Sequence, residues 1–214
     1  MRKSTPVAGL APVPVLFVLL QNTLMLDVAG PAEVLRLASQ LDPAETGEPA
    51  PRFALQYVGP APAVRTSIGL PLAGIAPLPE ALPDGAIVVL VGVASHVDAV
   101  LRAEVEASHD AAVAWLRRVV APSACRLMCV CSGALLAARA GLLDGRQCTT
   151  HHALCGALRA IAPQARVLED RLYVEDGGIG TSAGITAGID MMLHMLAGAA
   201  GPRSACAVAF SLRQ

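Results

Sequence analysis

Short strand-like apolar runs recur along the chain at 13–20, 53–59, 86–91 and 126–130. Between and after them lie stretches with helical spacing, at about 28–40, 96–105, 109–120, 132–140, 152–161 and 185–197. A strand–helix alternation of this kind predicts a parallel sheet with helices on both faces. Val13 to Leu20 reads as the first central strand, buried on both faces. Its position after Met1-Arg2-Lys3 superficially resembles a signal peptide, but Pro12 and Pro14 interrupt the run and no small-residue cleavage site follows. Gly184 to Ala200 is apolar yet carries Asp190 and His194, which suits a core helix better than a membrane span.

Local signals punctuate these elements. Ser95 and Asp98 are spaced as a capping box, and Ser108 is placed to cap a helix beginning at 109. Gly141 suits a helix C-cap, and Pro163 ends the helix before it. Asp42 to Pro51 is polar and contains Pro and Gly, so it is expected to be a tolerant surface loop. Leu70 to Asp84 is expected to be an extended connection lacking helix. Pro202 begins a last helix, in which Ala205, Val208, Ala209 and Leu212 share one face. No repeat and no internal boundary divides residues 1–214, which read as one domain.

The most abrupt change of period falls at Cys131. Arg126 to Val130 suits a buried strand, and Ser132 to Ala140 is rich in Ala, Leu and Arg, which favour helix. A cysteine at such a strand-to-helix turn occupies a nucleophile elbow, over the first turn of the next helix. The N–H groups and positive dipole end there favour a thiolate, so Cys131 is expected to be the most reactive of six thiols. The competing reading is a small buried hydrophobe, the usual fate of a free cysteine, and Cys129 fits it. Cys148, His151 and Cys155 have the look of half a metal site, but no second ligand pair is spaced to match, so no metal is expected. Reduced thiols are the simpler reading of all six.

In a parallel sheet the loops after strands gather at one edge, where ligands bind. That brings Asp27, Gly92 and Cys131 into one neighbourhood despite their separation in sequence. Asp27 either serves the thiol, as base or proton donor, or caps a helix starting at Val28.

The residues Val130-Cys-Ser-Gly-Ala-Leu-Leu136, Ala140-Gly-Leu-Leu-Asp-Gly-Arg146 and Thr149-Thr-His151 resemble the ThiJ/PfpI superfamily. So do Leu26-Asp-Val-Ala-Gly-Pro-Ala-Glu-Val-Leu35 and Thr181 to His194, in the expected order over nearly the whole chain. The resemblance implies an α/β parallel-sheet sandwich of the flavodoxin-like, class I glutamine amidotransferase type, with Cys131 at the elbow. The Thr181 block is most similar to the amino-terminal domain of AraC-type transcriptional regulators. A sister group, the isonitrile hydratases, is similar through Asp27, Cys131 and Ser132, where they carry threonine. An acidic residue at Asp27 is implied to contact the thiol. His151 is implied to lie near the elbow as the base of a Cys–His pair, against the plainer reading of a helix-start residue bonded to backbone.

Two positions depart from the family pattern. Val91-Gly92-Val93 stands where Pro-Gly-Gly is common, and a β-branched Val93 tolerates positive φ poorly. An oxyanion hole built there would be impaired, and losing one donor costs ~100- to 1000-fold in rate. Ser132 stands where PfpI-type peptidases carry histidine, which argues against peptidase activity.

Composition narrows the functions further. Hydrophobic residues make up 54% and charged residues 15%, which excludes a disordered chain and suggests apolar surface buried on a partner. The net charge is -1, so no basic nucleic-acid footprint is present. With three Phe, two Tyr and one Trp, a base-stacking platform is not expected. These features and the resemblance together imply a cytoplasmic, homodimeric ligand-sensing domain of an AraC-type regulator. It would bind a small molecule near Gly92, Val93 and Ser132, without cofactor, and meet DNA only through a helix-turn-helix module beyond residue 214. The alternative is a stand-alone isonitrile-hydratase-like hydro-lyase using Cys131, Asp27 and His151. A redox-responsive or glyoxal-handling protein is a third reading.

Overall fold

Alternate residues of the central strands face two different cores. In β1 (Val13–Val18) Leu16 and Val18 point into one and Val15 and Phe17 into the other. β6 (Ile87–Leu90) divides in the same way, Val88 and Leu90 against Ile87 and Val89. So does β7 (Arg126–Val130), with Leu127 and Cys129 against Met128 and Val130. This two-sided burial is why the runs read as continuous apolar stretches. The architecture comes from a computed structural model that describes residues 11–42, 47, 51–94 and 99–213.

Seven strands form the main sheet in the order β10-β11-β7-β6-β1-β2-β5. β2 is Phe53–Gly59 and β5 is Ala76–Pro77, and both lie parallel to their neighbours. β10 (Tyr173–Asp176) and β11 (Ile179–Ser182) form the antiparallel edge. Their turn, Gly177-Gly178, has φ of 59° and 82°, the geometry that a tight hairpin requires and glycine supplies. β3 (Ala63–Arg65) and β4 (Pro71–Ala73) make a small hairpin, and β8 (Gln147–Cys148) pairs with β9 (Arg166–Val167).

Helices cover both faces. α1 (Met25–Ala38) and α5 (Ile185–Ser211) bury Val28, Leu35, Met191, Met195 and Leu196 with one face of the sheet. Glycines permit the close packing: a Cβ on Gly30 of α1 would lie 2.8 Å from Ile189 of α5, and one on Gly188 of α5 would lie 2.8 Å from Val130 of β7. α2 (Ala99–Trp115), α3 (Gly133–Arg139) and α4 (Cys155–Ile161) share the opposite core, contributing Ala112, Trp115, Leu136 and Leu158. α2 runs on into a π-helical turn over Leu116–Val120. Trp115 is buried and donates its Nε1–H to Pro79 O at 2.7 Å, which ties α2 to the connection before β6.

The four strand runs appear where the pattern places them. Leu70 to Asp84 contains two short strands, β4 and β5, and no helix. The break expected at Ser108 does not exist: α2 passes through it, and the Ser108 hydroxyl accepts Gln21 N–H at 3.3 Å instead of capping. Tertiary bonding there overrides a local capping preference. The Ser95 and Asp98 capping box lies outside the described residues, as does most of the loop from Asp42 to Pro51. Gly141 takes φ 80° after α3, and the Leu142 N–H returns to Ala137 O at 3.0 Å. α5 kinks at Gly201 (φ 79°) before Pro202, so the last helix begins where the proline predicts.

Candidate active site

Cys131 has φ 55°, one of two non-glycine positive φ values among the described residues. It follows β7 directly and precedes α3, so the strained residue is the elbow itself. Its backbone is fixed on both sides. The Cys131 N–H donates to Ser182 O at 3.0 Å, and the Thr150 hydroxyl donates to Cys131 O at 2.8 Å. Gly133 is required by close approach, since a Cβ there would sit 2.4 Å from Leu90 O. Cys155 also opens a helix, α4, but its φ of -59° carries no strain.

Asp27 lies in the first turn of α1, after an N-cap at Leu24. It makes no cap bond, because the helix begins before it. Its carboxyl is fully buried, faces the Gly92 backbone and the Cys131 side chain, and closes no hydrogen bond of good geometry with either. The approach is tight: a Cβ on Gly92 would stand 2.3 Å from Asp27 Oδ2 and 3.0 Å from the Cys131 Cβ. Gly92 is therefore the residue that lets the acid and the thiol share one space.

Burial pushes the Asp27 carboxyl up to about 6, against the lowering effect of Gly92 and Cys131. The Cys131 thiol is pushed up to about 12, by burial first and then by the Asp27 charge, with the Ser132 backbone opposing. Burial thus holds both groups towards their protonated forms. This direction runs against the thiolate expected from the elbow position. α3 is only seven residues long, and its terminus does not outweigh burial and a neighbouring carboxylate. Cys131 is 4% exposed, whereas Cys206 is the one exposed cysteine.

Val93 and Ser132 meet beside the elbow. The Val93 N–H donates to Ser132 Oγ at 2.8 Å, and the Ser132 hydroxyl donates back to Val93 O at 3.0 Å. Val93 also forms a β-bridge with Thr23 and does not enter positive φ. The loop after β6 is thus stitched to the loop after β1, with Leu24 N–H on Gly92 O at 2.8 Å and Ala94 N–H on Asn22 O at 3.0 Å.

His151 precedes a 3-10 turn over His152–Leu154, and its Nδ1 accepts the Ala153 N–H at 3.3 Å. Its ring stacks on His152 with centroids 4.3 Å apart. None of these contacts runs to Cys131; they are those of a helix-start residue. Among the described residues no three His, Cys, Asp or Glu side chains converge as a metal set would, and Cys148, His151 and Cys155 do not do so.

A cavity of about 370 Å³ opens next to the elbow. Val93 and Ser132 line it, together with residues of α2, α3 and α4; Asp27, Gly92, Cys131 and His151 do not. Sequence reasoning missed this side of the site, including Arg102, His109 and Arg139, because polar residues on helices read as solvated faces. It also missed Thr150 and Ser182 as the clamps on Cys131. Thr150 lay within a quoted motif, but its bond partner is set by the tertiary fold.

Comparison with known proteins places this geometry among relatives. The model of the DJ-1/PfpI family matches residues 14–198. The HTH-type transcriptional regulator CdhR of Pseudomonas aeruginosa is 41% identical over 98 residues, 46% of this chain and 29% of the regulator. The isonitrile hydratase of Pseudomonas putida is 45% identical over 69 residues, 31% of this chain and 28% of that protein. The matched region thus spans less than a third of either relative. A ThiJ/PfpI family protein from Pseudomonas syringae has the same fold, with a TM-score of 0.74 at 20% identity over 99% of this chain and 82% of its own. An AraC family transcriptional regulator from Pseudomonas putida gives 0.69 at 20% identity, over 94% of this chain and 100% of its own.

Proposed function

We propose that this chain, which belongs to the DJ-1/PfpI family, is the ligand-sensing amino-terminal domain of an AraC-type DNA-binding regulator. In this reading the elbow is kept for its shape rather than for turnover. The observation that carries the proposal is the Ser132–Val93 pair. The Val93 N–H belongs to the loop where the family resemblance implies an oxyanion donor, and it is already bonded to Ser132 Oγ at 2.8 Å. Burial pushes the thiol beside it away from the reactive thiolate form. The likeness to the regulator CdhR points the same way.

The domain would work in the cytoplasm as a homodimer, with a helix-turn-helix module beyond residue 214 delivering the response to DNA. Among the described residues no helix is long and apolar enough to cross a membrane. Specific operator binding by the full gene product, altered by a small ligand, is the direct test. A gene product that binds no DNA would end this reading.

A second reading is favoured by the approach of Asp27 to Cys131 and by the likeness to an isonitrile hydratase. There Asp27 would take the thiol proton and Cys131 would attack the substrate carbon. Isonitrile hydration, amide hydrolysis and glyoxalase activity should be assayed on wild type and Cys131→Ser. Turnover above ~1 per second, within the ordinary enzyme range, and lost in Cys131→Ser, would put the enzyme first.

A further inference from the structure

The cavity of about 370 Å³ lies between α2, α3 and α4, beside Ser132, and Cys131 does not line it. Val105, Leu135, Leu136, Leu154 and Ile161 form an aliphatic wall. No Phe, Tyr or Trp side chain lines it, so a planar ring would find no stacking partner. The charges around it cancel. Arg139 is paired with Asp110 at 2.6 Å. Arg102 and Glu106, one turn apart on α2, carry opposite signs, and neither forms an ion pair among the described residues. Burial first, and then Arg139, hold His109 towards its neutral form. Its Nε2 has no exposed surface and so offers the cavity nothing. The Ser132 hydroxyl is engaged with Val93. An ion entering such a site would lose hydration and meet no net countercharge, whereas an uncharged chain would lose only unfavourable contact with water.

We propose that this cavity binds an uncharged, straight-chain aliphatic alcohol, its chain along Leu135, Leu136 and Leu154 and its hydroxyl at the rim between Arg102 and Glu106. The proposal rests on the sensor reading and gives that sensor its site and ligand class. A hydroxyl both donates and accepts, so it can accept from the Arg102 guanidinium and donate to the Glu106 carboxylate. A carboxylate or an ammonium would suit one of the two and be repelled by the other. An apolar cavity of ~150 Å³ is enough for a small hydrocarbon ring, and this one is more than twice as large. A ligand here would also touch Val93 and Ser132, whose mutual bonds hold the loop after β6 to the elbow helix.

An NMR titration of the chain with the alcohols from butan-1-ol to heptan-1-ol tests this. Hexan-1-ol should bind saturably and shift the backbone signals of Val93, Ser132 and Leu135. Each added methylene should tighten binding about fourfold, the transfer value of one buried methylene. Hexanoate and hexylamine should bind at least about tenfold more weakly. Leu154→Trp fills the cavity and should abolish binding. Ile161→Asp, at a partly exposed position, brings a charge to the wall and should weaken binding at least about tenfold, so a misfolded Leu154→Trp leaves the answer intact. Leu172 lines no part of the cavity, and Leu172→Ser should bind as wild type does. The proposal is overturned if hexan-1-ol shows no saturation by about 10 mM. Affinities that do not rise with chain length overturn it too, as does hexanoate or hexylamine binding as tightly as hexan-1-ol, or full retention in every folded wall variant. Operator binding by the full gene product is read separately, so failure here and failure of the regulator reading are distinguishable.

Discussion

Ser132 engages both backbone polar groups of Val93, accepting from its N–H at 2.8 Å and donating to its C=O at 3.0 Å. One hydroxyl thereby locks the loop after β6 onto the start of the elbow helix. The Val93 N–H is thereby already engaged. The two bonds fix the elbow loop against the start of its helix.

Ser132→Ala removes both bonds and leaves the Val93 N–H and C=O to find other partners in a mostly buried setting. The variant should lose about 1–3 kcal/mol of stability. Urea unfolding monitored by circular dichroism measures it, and an unchanged midpoint would show that the pair contributes nothing to the fold.

Thiol reactivity should follow exposure rather than elbow position. Cys206 is exposed, whereas Cys131 is buried and its thiol is pushed up to about 12. Limited iodoacetamide labelling near neutral pH, followed by peptide mapping, should mark Cys206 first and leave Cys131 largely unlabelled. Early labelling of Cys131 would mean that the thiolate is stabilised in a way its surroundings do not explain.

The Asp27 carboxyl contributes an unusual pH dependence. Its value in the folded chain, about 6, lies above the ordinary 3.8. A raised value favours the fold fully below the ordinary value, and the contribution is lost as pH rises through about 6. Asp27→Asn lacks that loss. It should be more stable than wild type at pH 8 by about 3 kcal/mol, with the gap closing towards pH 4. Thermal unfolding across this range gives the answer, and a gap independent of pH would remove desolvation of the carboxylate as its cause.

Leu172 and Phe210 are large apolar side chains, 63% and 66% exposed. Apolar surface of this kind is normally covered. Light scattering at micromolar concentration should give about 44 kDa, twice the 21.9 kDa of one chain. A mass near that of one chain would count against the homodimer.

Much of the architecture was legible because buried parallel strands write themselves as apolar runs. Val13 to Val18, Ile87 to Leu90 and Arg126 to Val130 are each covered on both faces, so composition alone exposes them. The β10–β11 edge was overlooked, although Asp176-Gly177-Gly178 is a hairpin signal. Its strands are short and partly exposed, and Glu175, Asp176 and Gly180, types depleted in strands, weaken the pattern. The break at Ser108 was read from a capping preference worth less than the bond that Ser108 makes to Gln21.

What the sequence by itself determined was the sheet, the elbow at Cys131 and the nearness of Asp27, because strand ends in a parallel sheet gather at one edge. Only the tertiary structure decided the chemical state of that pair. Burial at 0% and 4% exposure, and the close packing around Gly92, raise both the acid and the thiol. Desolvation depends on every neighbour at once, and no local pattern encodes it. For the same reason the cavity beside Ser132 became visible only once three helices, distant in sequence, closed around His109.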